Sequence, residues 1–335
     1  MEKTYFNARS KAKEAKLLSK ESLEMLSKSA SLEDVHKNLL DLKLLKGEQI
    51  NSFSDLYQIT NRKEKEFIEF LMKESINTDL TKFFLLDYDY FNLESLYFYI
   101  KLNYPKTKLK PQGYIKISTL EKNLMQNNSE GLSPYMKKLL DVLEHSEDKS
   151  PFFVDNLFKK TLYKEKLELS KVSKELYECV NYMSDLKNIE LALRIRDEKM
   201  FSLTKIDGGS LSDEVFKNLC YDDYAKILSD SKFSSFKNVV EIIIEAKMAN
   251  KPFQKFDFLM DCFPLTFFDD KKYDLNGLLP YIRYCYLEII QTKNLKIIFD
   301  GLKIGENRKN IFSNLRRVYE KWYCCYFRFK RIYAF

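Results

Sequence analysis

"NIELALRIRDEK", residues 188–199, carries Ile189, Ala192 and Leu193 on one helical stripe, yet it opens on an amide, Asn188, directly before the first apolar position. The arrangement occurs twice more. Asn92 precedes Leu93, Leu96, Tyr97 and Ile100, and Asn294 precedes Leu295, Ile298, Phe299 and Leu302. Three residues before each asparagine stand Asp89, Asp185 and Gln291, on the same helix face by i, i+3 geometry. An amide beside an apolar stripe needs hydrogen-bond partners, because leaving it buried and unpaired is costly. The pattern therefore predicts three helices whose asparagines each bond a neighbouring helix end. Successive copies lie about one hundred residues apart, too far for a tetratricopeptide, ankyrin or HEAT array, so they predict related helical domains and not a solenoid.

The rest of the chain reads as helix as well. Only 8 glycines and 7 prolines punctuate 335 residues, too few for a turn-rich sheet protein, and the predicted class is all-α. Ser19 before "KESLEMLSKSA" and Ser31 before "LEDVHKNLL" have acids in the following turn, as helix N-caps do. Polar "TKLKPQ" at 107–112 closes a first unit, and "GGSLSDEVFKNL" at 208–219 opens a third. The expected division is 1–112, 113–207 and 208–320, followed by an aromatic and basic extension at 321–335. In that extension Trp322, Tyr323, Tyr326, Phe327, Phe329, Ile332 and Tyr333 are interspersed with Arg328, Lys330 and Arg331; it reads as a segment packing back on the third domain or an unstructured extension, with a lipid headgroup boundary as the other reading.

Several functions are excluded by what the motifs lack. The net charge of +7 comes from 56 basic and 49 acidic residues of interspersed sign, a mild bias towards anionic partners. The chain has neither a G-x-x-x-x-G-K-[ST] loop nor a G-x-G-x-x-G, so no nucleotide cradle is expected. His36 and His145 stand in no zinc-type spacing, and the acid pair Asp87/Asp89 lies in no EF-hand frame, so no metal, cofactor or catalytic residue is expected. Aromatics at helical spacing read as core, and without a long basic stripe no nucleic-acid partner is expected. Six cysteines without a C-x-x-C pair, and no apolar run long enough for a membrane span, suit a reducing cytoplasm. Arg9, Lys11, Arg194 and Arg196 read as a solvated face or intramolecular ion pairs, with a partner-facing surface as the other reading.

The chain resembles the rotor subunit that carries the letter C in prokaryotic V-type and A-type rotary ATPases and the letter d in the eukaryotic proton pump. The resemblance rests on "YFNARSKAKEAKLLSKESLEMLSKSASLEDVHKNL" at 5–39 and on the D-x-x-N-[LI] helices at Asp89/Asn92 and Asp185/Asn188. "DGGSLSDE" at 207–214, "NLKIIFDGLKIG" at 294–305 and "FSNLRRVYE" at 312–320 add to it. It implies three pseudo-symmetric helical domains arranged as a funnel, present as one non-catalytic copy on the rotor of the complex. The mouth would accept the shaft made by the D and F subunits, and the other face would sit on the proteolipid c/K ring, peripheral to the cytoplasmic side of the membrane. The chain departs from the pattern at Gln291, which replaces the acid in the third copy. It departs also at Arg196, where the first and third copies are apolar, and in continuing past the usual end of the family near "LRRVY". A general helical scaffold unrelated to rotary motors is the alternative.

Overall fold

Side-chain caps start most of the helices. Ser19, Ser31, Ser133, Ser150, Ser173 and Ser212 each accept a backbone N–H of the first turn, and Ser31 forms a reciprocal capping box with Asp34. The structure is a computed structural model, and it describes residues 2–195, 200–221, 237–249, 254–269 and 277–316. Arg196 and the extension 321–335 lie outside the described residues. In chain order the helices are α1 (Glu2–Glu14), α2 (Lys20–Ser27), α3 (Leu32–Asp41), α4 (Tyr57–Lys73) and α5 (Thr78–Leu102). There follow α6 (Ile117–Gln126), α7 (Pro134–His145), α8 (Pro151–Ser170), α9 (Lys174–Arg194) and α10 (Phe201–Thr204). The last are α11 (Asp213–Cys220), α12 (Lys237–Met248), α13 (Gln254–Phe267), α14 (Leu279–Lys303) and α15 (Arg308–Ser313). No strand occurs among the described residues, so the fold is all-α.

The helices gather into two compact units. One is built from both ends of the chain, residues 2–76 with 257–316. Its core joins Leu23 and Leu26 of α2, Val35 and Leu39 of α3, and Ile59 of α4 to Leu287, Leu295, Ile298 and Phe299 of α14. The other unit runs through residues 77–256, where Leu93, Leu96 and Tyr97 of α5 pack with Leu120 of α6, Leu139 and Leu143 of α7, and Phe158 of α8. In this unit α8 also packs on α9, and α9 on α11 and α12. Within the described residues 2–112, residues 2–76 fall in the first unit and α5 in the second. Residues 2–76 are drawn to the C-terminal helices by the leucines of α2 and α3.

The three asparagine helices are longer than the apolar stripes that announced them. α5, α9 and α14 have 25, 21 and 25 residues, so Asn92, Asn188 and Asn294 sit well inside them and not near a first turn. Helices of this length are not stabilised by propensity alone, and each buries most of one face. α14 comes unusually close to α15, because Gly301 leaves room for Ile311; a Cβ there would stand 2.6 Å from Ile311 Cγ1 and 2.8 Å from its Cδ1.

That contact sets two effects against each other. Gly301→Ala gains about 1 kcal/mol of helix propensity but overpacks against Ile311 at a cost of about 1–3 kcal/mol. The expected net result is destabilisation in urea unfolding, with the sign reversed when Ile311→Ala removes the colliding atoms. A more stable Gly301→Ala protein with Ile311 intact would refute the steric account.

Candidate functional site

Each asparagine grips one backbone residue by both of its polar groups. Lys110 N–H donates to Asn92 Oδ1 at 2.8 Å, and Asn92 Nδ2 donates to Lys110 O at 2.6 Å. Ile206 N–H donates to Asn188 Oδ1 at 2.9 Å, and Asn188 Nδ2 returns a bond to Ile206 O at 3.1 Å. Arg316 N–H donates to Asn294 Oδ1 at 2.6 Å, and Asn294 Nδ2 to Arg316 O at 2.8 Å. All three asparagines are 0% exposed. A carboxamide suits this role because it is neutral and carries a donor and an acceptor side by side. The partners are not helix ends, as the sequence pattern predicts, but single residues of connecting segments.

One turn earlier on the same helices, a second side chain holds the start of the next short helix. Asp185 accepts from Ser210 N–H at 2.7 Å, Ser210 Oγ at 3.0 Å and Leu211 N–H at 3.0 Å. Asp89 accepts from Ile115 N–H at 2.9 Å. In the third copy Gln291 Oε1 accepts from Leu18 N–H at 2.6 Å. Leu211, Ile115 and Leu18 each stand directly before a helix N-cap, namely Ser212 of α11, Lys116 of α6 and Ser19 of α2. In the first two copies the gripped residues belong to one short connection, 110–115 and 206–211. In the third, Arg316 and Leu18 come from opposite ends of the chain.

This geometry explains the glutamine. A Cβ on Gly113 would stand 2.2 Å from Asp89 Oδ1, and one on Gly209 would stand 2.1 Å from Asp185 Oδ1. Aspartate is short, so the backbone must come to it, and only glycine allows that approach. The corresponding residue two positions before Leu18 is Lys16, which has a side chain. Gln291, longer by one methylene, reaches the Leu18 amide without needing a glycine there.

Burial governs the ionisation of these acids. Removal from water pushes the Asp89 carboxyl up to about 7; the Ile115 amide opposes this, and the nearby Glu165 charge adds to it. Glu165 is itself buried and raised by burial, while accepting from Tyr90 OH at 2.7 Å and Ser133 Oγ at 2.9 Å. Burial also raises Asp185, against the hydrogen bonds from Leu211 and Ser210. Among the described residues no group of three or more His, Cys, Asp or Glu could hold a metal. A cavity of about 580 Å³ adjoins the Asp185 clamp, lined in part by Lys160, Lys205, Gly208, Asp213 and Lys217. Its lysines have partners: Lys205 pairs with Asp213, and Lys160 donates to Ser202 O at 2.8 Å.

The basic residues singled out in the sequence are not drawn into the clamps. Arg9 pairs with Glu74 at 2.7 Å, Lys11 with Glu14 at 2.9 Å and Arg194 with Glu190. Arg196 lies outside the described residues. Sequence reasoning missed Gly113, Lys16 and Leu18, although a glycine two residues before an apolar N-cap neighbour in two of the three copies is a readable signal.

Comparison with known proteins adds one match. The family model described as ATP synthase (C/AC39) subunit matches residues 6–311. None of the curated proteins compared with the chain matches it.

Two outcomes follow from the clamps. Asn188→Leu orphans the buried N–H and C=O of Ile206, and unfolding free energy is expected to fall by about 2–4 kcal/mol; an unchanged urea midpoint would exclude the clamp as a stabilising contact. For Asp89, the folded-state value of about 7 lies above the ordinary 3.8. Between those values the folded protein holds a proton that the unfolded chain has lost, so this group's contribution is complete at the acid end and declines as pH rises towards 7. Asp89→Asn should remove that slope. Wild type should lose up to about 1.4 kcal/mol per pH unit relative to the variant across pH 5 to 7, and parallel stability curves would contradict it.

Proposed function

Because the chain belongs to the ATP synthase (C/AC39) subunit family, we propose that it is the non-catalytic central-stalk subunit of a V/A-type rotary ATPase. In this reading one copy connects the shaft made by the D and F subunits to the proteolipid c/K ring, and transmits torque for ATP-coupled proton or sodium transport. The family match over residues 6–311 is the observation that carries the reading. The clamps suit such a part: a rotor element must resist shear, and buried two-point grips on connecting segments stiffen the joints where a helical chain would otherwise yield.

The division at 112/113 and 207/208, with three related domains in a funnel, belongs to the same proposal. Both boundaries fall inside the gripped connections 110–115 and 206–211. Arg9, Lys11, Arg194 and Arg196 are the proposed contacts for acidic partner residues. The first three would exchange Glu74, Glu14 and Glu190 for those partners. Among the described residues no helix is long and apolar enough to cross a membrane, which accords with a peripheral place on the cytoplasmic side of the ring. No cofactor, metal or nucleic acid enters this function.

A tagged copy expressed in its own host is expected to co-purify with a P-loop ATP-hydrolysing subunit and with two shaft proteins in fixed ratio. The protein purified alone is expected to be monomeric and without ATP hydrolysis. Hydrolysis by the isolated chain, or recovery of the chain without any rotary-motor subunit under gentle extraction, would overturn the proposal.

A further inference from the structure

The first helix is attached differently from the others. α1 packs along α14, yet its only buried side chains among those described are Asn7 and Ser10. Phe6 is half-buried and Tyr5 is 60% exposed. By contrast α2, only 8 residues long, buries Leu23 and Leu26 completely or nearly so. Several contacts of α1 are polar or ionic. Asn7 Nδ2 donates to Gly277 O at 3.1 Å, Glu14 pairs with the buried guanidinium of Arg283, Arg9 pairs with Glu74, and Lys13 stands 4.9 Å from the Phe70 ring centroid. Ser10 Oγ and Arg283 Nε, one on each helix, are buried without a protein hydrogen-bond partner. Packing against the apolar core begins with half-buried Leu17 and buried Leu18, whose amide is the one held by Gln291.

Such an attachment draws less on the non-directional, salt-insensitive burial of apolar side chains than α2 does, since its fully buried side chains are polar. Salt screens the more exposed Arg9–Glu74 pair most, and the buried Glu14–Arg283 pair much less. A helix of 13 residues is marginal once detached, so leaving α14 and losing helical structure are one event. The third clamp lies just beyond α1, so the rest of this unit stays closed when α1 leaves. We propose that α1 is a releasable strap: residues 2–16 detach from α14 as a cooperative segment while Leu17, Leu18 and the helices after them stay in place. Ionic strength sets the balance, and release uncovers Arg283 and the α14 surface around it. The inference stands apart from the rotary-ATPase reading, since it uses contacts within one compact unit.

Hydrogen–deuterium exchange of the full chain tests it directly, compared at about 0.05 M and about 1 M sodium chloride. Amides of residues 4–14 are expected to exchange at least about tenfold faster at the higher salt, while α2, α5 and α14 keep their rates. Arg283→Met and Glu14→Gln should each reproduce the acceleration at low salt. Should either variant fold poorly, the wild-type salt comparison decides alone. Exchange in α1 that ignores salt, or that matches α14 under both conditions, would overturn the proposal.

Discussion

The fold depends on an amide side chain that takes the place of a strand. In a sheet, a buried backbone N–H and C=O are satisfied by the neighbouring strand; in an all-helical chain, the connecting segments have no such neighbour. Asn92, Asn188 and Asn294 each supply both missing partners to one connecting residue, Lys110, Ile206 and Arg316. Without them, the peptide groups lying against the long helices would lose their partners, at the greatest desolvation cost at buried Ile206. With them, the connection is fixed to the long helix, and after Lys110 and Ile206 the short helices α6 and α11 start from set positions.

The residue one turn upstream completes the constraint and shows what the chain can vary. Aspartate with a glycine opposite, and glutamine with a lysine opposite, solve one distance problem in two ways. The charge is incidental to this work. Burial already raises the Asp89 and Asp185 carboxyls, so a neutral acceptor loses little by comparison. The requirement is an acceptor of the right reach, and the backbone opposite determines which reach is right. That the third grip falls on Leu18 places the beginning of the chain where the other copies have a continuous connection.

Much of this was legible in the sequence. Sparse glycine and proline, serine caps and apolar stripes identified the helical class, and the recurrence of an amide before each stripe marked the helices that matter most. Three things were hidden. The stripes showed only the second halves of α5, α9 and α14; in α5 and α14 the first halves are buried on several sides and have no clean period, as Phe83 to Leu86 in α5 and Leu279 to Cys285 in α14 show. The partners of the asparagines lie 18 to 22 residues downstream in segments without pattern, and a hydrogen bond to backbone leaves no mark in the partner's identity. The pairing of residues 2–76 with 257–316 is a contact across nearly the whole chain, which local periodicity does not encode. The basic residues at 9, 11 and 194 show the same limit, since whether a charge faces solvent, a carboxylate or a partner depends on packing.

The departure at Gln291 illustrates how such a gap closes. Read along the chain, it is a degenerate copy of an acid motif. Placed against Leu18, its longer side chain reaches the amide without a glycine two residues before it, where Lys16 stands. The third copy's upstream residue bonds an amide 273 residues away in sequence instead of one in a nearby connection. That bond uses the cheapest available group, a backbone N–H, which every residue but proline offers. The side chains around it are then free to diverge, provided the reach from helix to backbone is kept.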